Sequence, residues 1–404
     1  MLKKSFIYSG LLLLTISSMN AKSIDDVVVE TINQNYSIKA LESSINIAQE
    51  QIELSTKWKN PTLSFGATDI QLNDITARDK EPMQAQFIGI SQVVPIGDKL
   101  KIEKKIAQDD YQISKYEVED KKLQLKSKIY EYIYNIKLLE ERLKLFEKYK
   151  SNTKKLEKLL KELYKYNKAN QAQILKTQIM NQELNLKSQN LQTMINTLNL
   201  KLEQITYSKQ ENIEFDNRLR NIELTKDIRN HPKLLSILQV SKKFDNISIL
   251  EKEKKNSDIK VNFAYFQRDS KYEDYVNLSF AIPLSIRGTE DIKSRKAKFK
   301  AMEISHKFKD MKLTFENKIK TFQQNMDDSH ITYKIIKKDI LPKFNQLQKT
   351  IENYNSFSSY KNMDSKTLIN NLNEIIKYEL KAVDEKQKYF TALSKSIYFT
   401  KEIK

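Results

Sequence analysis

Apolar residues recur at steps of four and three along most of this chain, and at steps of two in four short stretches. Leu125, Ile129, Tyr132, Ile136, Leu139, Leu143, Phe146 and Tyr149 keep the first rhythm, and Leu156, Leu160 and Leu163 continue it in register. That spacing places them on one stripe of a helix, the heptad pattern of helices packed at shallow angles. After the polar run at 167–171 a second seam follows at Leu184, Leu191, Ile195, Leu198, Leu202 and Ile205. Shorter seams run through Ile38, Leu41, Ile45, Ala48 and Ile52, and through Phe308, Met311, Phe315, Ile319, Phe322 and Met326. A helix from about Asp98 to Tyr164 is on the order of 100 Å long at roughly 1.5 Å per residue. No compact globular domain needs such a helix.

The two-residue rhythm predicts strands. Leu63, Phe65 and Ala67 alternate with Ser64, Gly66 and Thr68, and Ile88 and Ile90 share a face. Val261, Phe263 and Tyr265 alternate with Lys260, Asn262 and Ala264, and Val276, Leu278, Phe280 and Ile282 with Asn277, Ser279 and Ala281. Each stretch is expected to have roughly the 9–11 residues of a tilted membrane strand. Trp58, Tyr265, Tyr272 and Tyr275 lie near the ends, where interfacial aromatics sit. A soluble sheet with one buried face shows the same alternation, so this feature alone leaves both readings open.

Helix breakers sharpen the division. The chain has five glycines and six prolines, and none of either between Asp98 and His231. Pro342 interrupts the last third, where it is expected to kink or restart a helix. The remaining breakers mark an order that occurs twice: helix, strand, turn, strand, long helix, turn, long helix. Asn60-Pro61 opens the first strand pair and the segment 91–97 closes it, with Pro95 and Gly97. Residues 256–258 open the second and 279–284 close it, with Pro283 followed by Gly288. The expected division is therefore a leader at 1–21, a first repeat at 22–225 with strand pair 60–97, and a second at 226–404 with strand pair 257–288.

The leader is read from Lys3 and Lys4, the apolar Leu11–Leu14 and a small-residue site at Met19-Asn20-Ala21. It predicts export. There is no cysteine, hence no disulfide framework, no thiolate metal site and no lipid-carrying cysteine. The net charge of +18 raises nucleic acid as a partner. The lysines are instead spread among glutamates along helical seams, without a basic stripe and interleaved aromatics, so no nucleic-acid partner is expected. His231, His306 and His330 lack ligand spacing, and the methionines, Met311 and Met326 among them, read as core filler. Asp327-Asp328 reads as a solvated face, and no phosphate loop, nucleophile elbow or zinc-protease motif occurs. The chain is expected to be no enzyme and to need no cofactor.

Four strands cannot close a barrel, and open strand edges are not tolerated in lipid. If the strands lie in a membrane, chains must combine, and a cyclic trimer supplies twelve strands and twelve long helical segments. At this point the chain resembles the TolC-like outer membrane efflux proteins. The resemblance rests on Asn60-Pro61-Thr62-Leu63, on the segment from Ser91 to Lys99, and on Tyr166 to Leu175, similar to the family's first hairpin tip, with Tyr360 to Asn373 as its counterpart. It implies a mainly α chain whose long hairpins form a periplasmic α-barrel and whose four strands enter a 12-stranded trimeric outer-membrane β-barrel. It also implies a homotrimer in outer membrane lipid that docks a periplasmic adaptor and an inner-membrane transporter such as a proton-driven pump. The candidate entrance comprises Asn167, Gln173, Lys176, Asp364, Asn370 and Asn373. Family members often carry glycine at the tip turns and acidic residues beyond them. Here Asn167 and Asp364 stand at the turns and tolerate left-handed backbone, while Gln173, Lys176, Asn370 and Asn373 replace the carboxylates. Amide rings at an entrance, or amides capping a helix start, both fit. Drug or heavy-metal efflux is the leading expectation; a type I protein secretion channel and a pore-less periplasmic coiled-coil scaffold are the alternatives.

Overall fold

The computed structural model describes residues 22–400 except 168, 226 and 358–364. The predicted leader at 1–21 and the tip residue Asp364 lie outside the described residues. Among the described residues eight α-helices and four strands follow one another as α1 (Ile24–Gln34), α2 (Tyr36–Leu54), β1 (Thr62–Thr68), β2 (Ala85–Val94), α3 (Lys99–Lys165), α4 (Gln171–Thr206), α5 (Pro232–Glu253), β3 (Ile259–Gln267), β4 (Tyr275–Ala281), α6 (Thr289–Ile335), α7 (Leu341–Phe357) and α8 (Ser365–Thr400). The chain forms two compact units, one from the described parts of Met1–Asn35, Lys126–Asn221 and Asn325–Lys395, the other from Tyr36–Leu125, Ile222–Gln324 and Ser396–Lys404. Each unit takes segments from both predicted halves of the chain.

The first unit is helical. Ile129, Ile136, Leu139, Phe146, Tyr149, Leu156, Leu160 and Leu163 of α3 are buried, as the seam predicts. So are Tyr130, Ile133, Tyr134 and Leu138, which lie off that stripe. They are covered because α3 is packed on more than one side, where the rings of Tyr134, Phe215 and Phe390 meet tilted or edge-on with centroids 4.9–5.5 Å apart. On α4 the buried stripe runs Thr177, Asn181, Leu184, Leu191, Ile195, Leu202 and Thr206, so the heptad reaches further toward the helix start than its apolar members show. The short α1 was not expected. Its signal is Ser23-Ile-Asp-Asp, and Ser23 and Asp26 form a reciprocal capping box.

Pro342 does not end the helix. Five residues of π-helix, Ile336–Ile340, separate α6 from α7, and Leu341 donates its backbone N–H to the carbonyl of Ile336. A wider turn places the proline ring clear of the carbonyl it would meet four residues back, so the chain stays helical at the cost of one regular turn.

In the second unit the strands pair antiparallel in the order β1-β2-β3-β4. β2 has ten residues and β3 nine, but β1 and β4 have seven each, shorter than the alternation suggests. Both are edge strands, paired on one side only. Helices α5 and α6 pack through small polar contacts, Ser241 Oγ donating to the Ala301 carbonyl at 3.0 Å and Ser248 Oγ to that of Ser294 at 2.9 Å. Asp109 on α3 accepts from Gln239 and Asn246 on α5, both at 2.6 Å.

Candidate functional site

Residues directly opposite each other in an antiparallel pair share a face of the sheet. Leu63 stands opposite Ile90, Ile90 opposite Phe263 and Phe263 opposite Leu278. One row further, Phe65, Ile88, Tyr265 and Val276 line up in the same way. One face is thus an apolar band across all four strands. The other carries Ser64, Gly89, Ala264 and Asn277 in one row and Thr62, Ser91, Asn262 and Ser279 in the next. The apolar face stands open: Phe65 is 81% exposed, Leu63 and Phe280 63%, Ile88 53%; on the small polar face Gly89 is buried, while Thr62, Ser64, Asn277 and Ser279 are exposed. Each such apolar side chain left in water forgoes about 1.5–3 kcal/mol, so a contiguous band of this kind marks a surface that something apolar covers.

The small face is closely built. A Cβ on Gly89 would stand 2.9 Å from the Ala264 Cβ and 3.1 Å from the Phe263 carbonyl oxygen. Toward the hairpin turns the same face carries aromatics, Phe87 stacked on Phe266 at 5.3 Å and Phe266 on Tyr275 at 4.8 Å. The Phe87 ring lies against Gly66, filling the space a side chain would take.

The two closing motifs differ in their surroundings. Gly97 adopts φ +79°, and its turn is clamped onto the α5–β3 junction. Glu253 Oε1 accepts from the Asp98 backbone at 3.3 Å and from Asn256 at 2.7 Å, and Ile96 N–H donates to Asp258 at 3.2 Å. Lys99 pairs with Asp258 and donates to the Asn256 carbonyl. Pro95 and Pro283 line a cavity of about 400 Å³ together with Trp58 and Asp258. Gly288 has φ +69°, yet nothing lies within 4 Å of where its Cβ would be.

The tip residues fall in the helical unit. Asn167 holds the turn between α3 and α4 at φ 58°, the left-handed geometry expected of it. Gln173 is the reciprocal half of a capping box: Asn170 Oδ1 accepts from the Gln173 backbone at 3.0 Å, and Gln173 Oε1 from the Asn170 backbone at 3.0 Å. Lys176 and Asn370 are exposed and Asn373 is half-buried. Their neighbours bring the two hairpins together, since Leu156, Leu160, Leu368 and Ile369 form one buried cluster with Ile174, Ile351 and Leu372 packed against it. The buried amides are ones the sequence did not single out. Asn371 donates to Gln348 Oε1 at 2.7 Å and to the Phe344 carbonyl at 3.3 Å, while its Oδ1 is buried without a partner. Asn181 meets Thr153 between α4 and α3, and Glu157 accepts from Gln178 at 2.9 Å. Hydrogen bonds from Lys161 and Gln178 hold the Glu157 carboxyl below the ordinary glutamate range.

Among the described residues no cluster of His, Asp or Glu is placed to hold a metal ion, and no helix is long and apolar enough to cross a membrane. His231 is 1% exposed and caps α5. Its Nδ1 accepts from Lys233 N–H at 3.2 Å, leaving Nε2 to donate to the Tyr398 carbonyl at 2.7 Å.

No protein-family model and no curated protein matches the chain. Solved structures do. The CmeC outer membrane channel of Campylobacter jejuni superposes with a TM-score of 0.73 at 10% identity, over 93% of this chain and 85% of that one. CusC, described through its folding and transmembrane channel formation, gives 0.72 at 11% identity over 93% and 92%. The outer membrane protein VceC of Vibrio cholerae gives 0.69 at 11% identity over 92% and 96%. Four strands with an exposed apolar band, joined to helices of this length and order, are therefore the fold of the TolC-like outer membrane channels, over nearly the whole described chain.

Proposed function

We propose that this chain is one subunit of an outer-membrane channel, a passive conduit that three copies build together and that serves an efflux assembly. The observation that carries the reading is the sheet itself: an exposed apolar face, a small polar face, and two edge strands with no further strand beside them among the described residues. Lipid covers such a band, and only closure with further strands satisfies such edges. Three copies supply twelve strands, and the small polar face then lines the lumen.

The helical hairpins extend the conduit through the periplasm, and their tips dock a periplasmic adaptor and an inner-membrane transporter. The chain performs no chemistry in this role, and substrate choice rests with the pump. At Gln173, Lys176, Asn370 and Asn373 the entrance carries amides and a lysine where carboxylates often stand in the family it resembles, so it is less cation-selective than one with carboxylates at those four positions. Purified protein in planar bilayers tests this: discrete conductance steps are expected, with cation selectivity rising in Asn370→Asp and Asn373→Asp. Absence of any conductance, together with recovery of the protein as a soluble periplasmic dimer, contradicts the channel.

A further inference from the structure

Successive rows of opposite residues on the small polar face differ sharply in bulk. The row nearer the helices holds Thr62, Ser91, Asn262 and Ser279, and the next holds Ser64, Gly89, Ala264 and Asn277. Neither contains a side chain larger than asparagine. The row beyond, toward the hairpin turns, is Gly66, Phe87, Phe266 and Tyr275. The change from small to aromatic is complete within one two-residue repeat, about 7 Å along the strand.

The rings stand upright on the sheet. Phe87 and Phe266 have centroids 5.3 Å apart and planes inclined by 30°, and Phe266 and Tyr275 are separated by 4.8 Å and 2°. Those separations match the roughly 4.8 Å between neighbouring strands, so the rings face one another and turn their edges away from the backbone. Each is held. Phe87 leans over Gly66, where a Cβ would lie 3.0 Å from its ring, and so covers β1 as well as β2. Phe266 is stacked on both of its neighbours. The Arg268 guanidinium lies over the Tyr275 ring, 5.4 Å from its centroid. It is fixed there by the Glu273 carbonyl at 2.6 Å and the Pro82 carbonyl at 3.3 Å. No ring of this row can swing aside without giving up a stacked partner.

We infer that Phe87, Phe266 and Tyr275 form a collar that sets the bore of the strand-lined part of the conduit, a fixed sieve at the end away from the helices. This rests on the channel reading above, in which the small face lines the lumen and three copies complete the ring. Three rings from each copy then turn their edges inward, whereas the rows on the helix side present hydroxyls, amides and bare backbone. Cargo that passes those rows meets the collar last and is sorted there by its cross-section. Because the rings lock one another, the collar is a constant restriction and does not open and close.

The absence of native cysteine permits a direct measurement. Ser279→Cys places a thiol on the helix side of the collar, and Thr68→Cys places one beyond it on the same face. Thr76→Cys, exposed in the connection between β1 and β2, reports that a reagent reaches the cell surface. Intact cells are treated with N-ethylmaleimide and with maleimide-capped polyethylene glycols of graded length. The largest polymer that labels Ser279→Cys is expected to be smaller than the largest that labels Thr68→Cys. Adding Phe87→Ala and Phe266→Ala is expected to shift the Ser279→Cys limit up to that of Thr68→Cys. Equal limits at the two positions with the rings intact overturn the collar, a comparison that stands even if the alanine changes prevent assembly. An unchanged limit in an assembled alanine variant overturns it too. Failure of N-ethylmaleimide to label Ser279→Cys, or of every polymer to label Thr76→Cys, overturns the channel reading instead.

Discussion

Single residues here are tested best where the backbone allows no alternative. Gly89 is such a place, because any Cβ collides with the neighbouring strand. Gly89→Val is expected to cost about 1–3 kcal/mol by overpacking, seen as a lower unfolding temperature of the detergent-solubilised protein; an unchanged value would mean that the strands part easily. His231 is a second. Its neutral ring bridges the α5 start to the Tyr398 carbonyl and packs edge-on against Phe315 at 4.9 Å. His231→Ala removes a cap worth about 1 kcal/mol and leaves a cavity, for a combined loss of about 2–4 kcal/mol in denaturant unfolding. Of this role only the helix start was legible in sequence, from the histidine before a proline; the bond to Tyr398 and the ring contacts were not. Asn167 was legible, since a left-handed turn between two long helices admits few residue types.

At the scale of elements, the long helices could be read from missing breakers and heptad spacing, and the buried positions of α3 and α4 follow those seams. The polar members of the seam could not. Thr177 and Asn181 fill heptad positions at the α4 start, and only the facing Thr153 reveals that the layer is satisfied. Pro342 shows the same limit: the sequence marks a disturbance, while the choice of a π turn depends on packing that keeps both flanking helices in place. Near the tip, Glu157 bridges α3 to Gln178 on α4 with its carboxyl held below the ordinary range. A depressed carboxylate stabilises the folded state above its unfolded pKa and loses that contribution as pH falls through the folded value. Amide exchange over 171–178 is therefore expected to quicken only below about pH 4.3, and Glu157→Gln to remove that step. A step of equal size in the variant would assign it elsewhere.

For the whole molecule, the strands carried the least information alone and the most in combination. Alternation in residues 62–68 or 275–281 fits a soluble sheet as well as a membrane one; the outcome depends on what covers the apolar face, a property of the assembled sheet. The pairing of β2 with β3 brings together segments some 170 residues apart, and it is this join that makes one continuous apolar band with an unpaired edge at each end. The central claim, that three chains close those edges, is met most directly by the mass of the detergent-extracted particle. Light scattering corrected for bound detergent is predicted to give three copies that separate only on boiling. A monomer or dimer that stays in solution without detergent would contradict it.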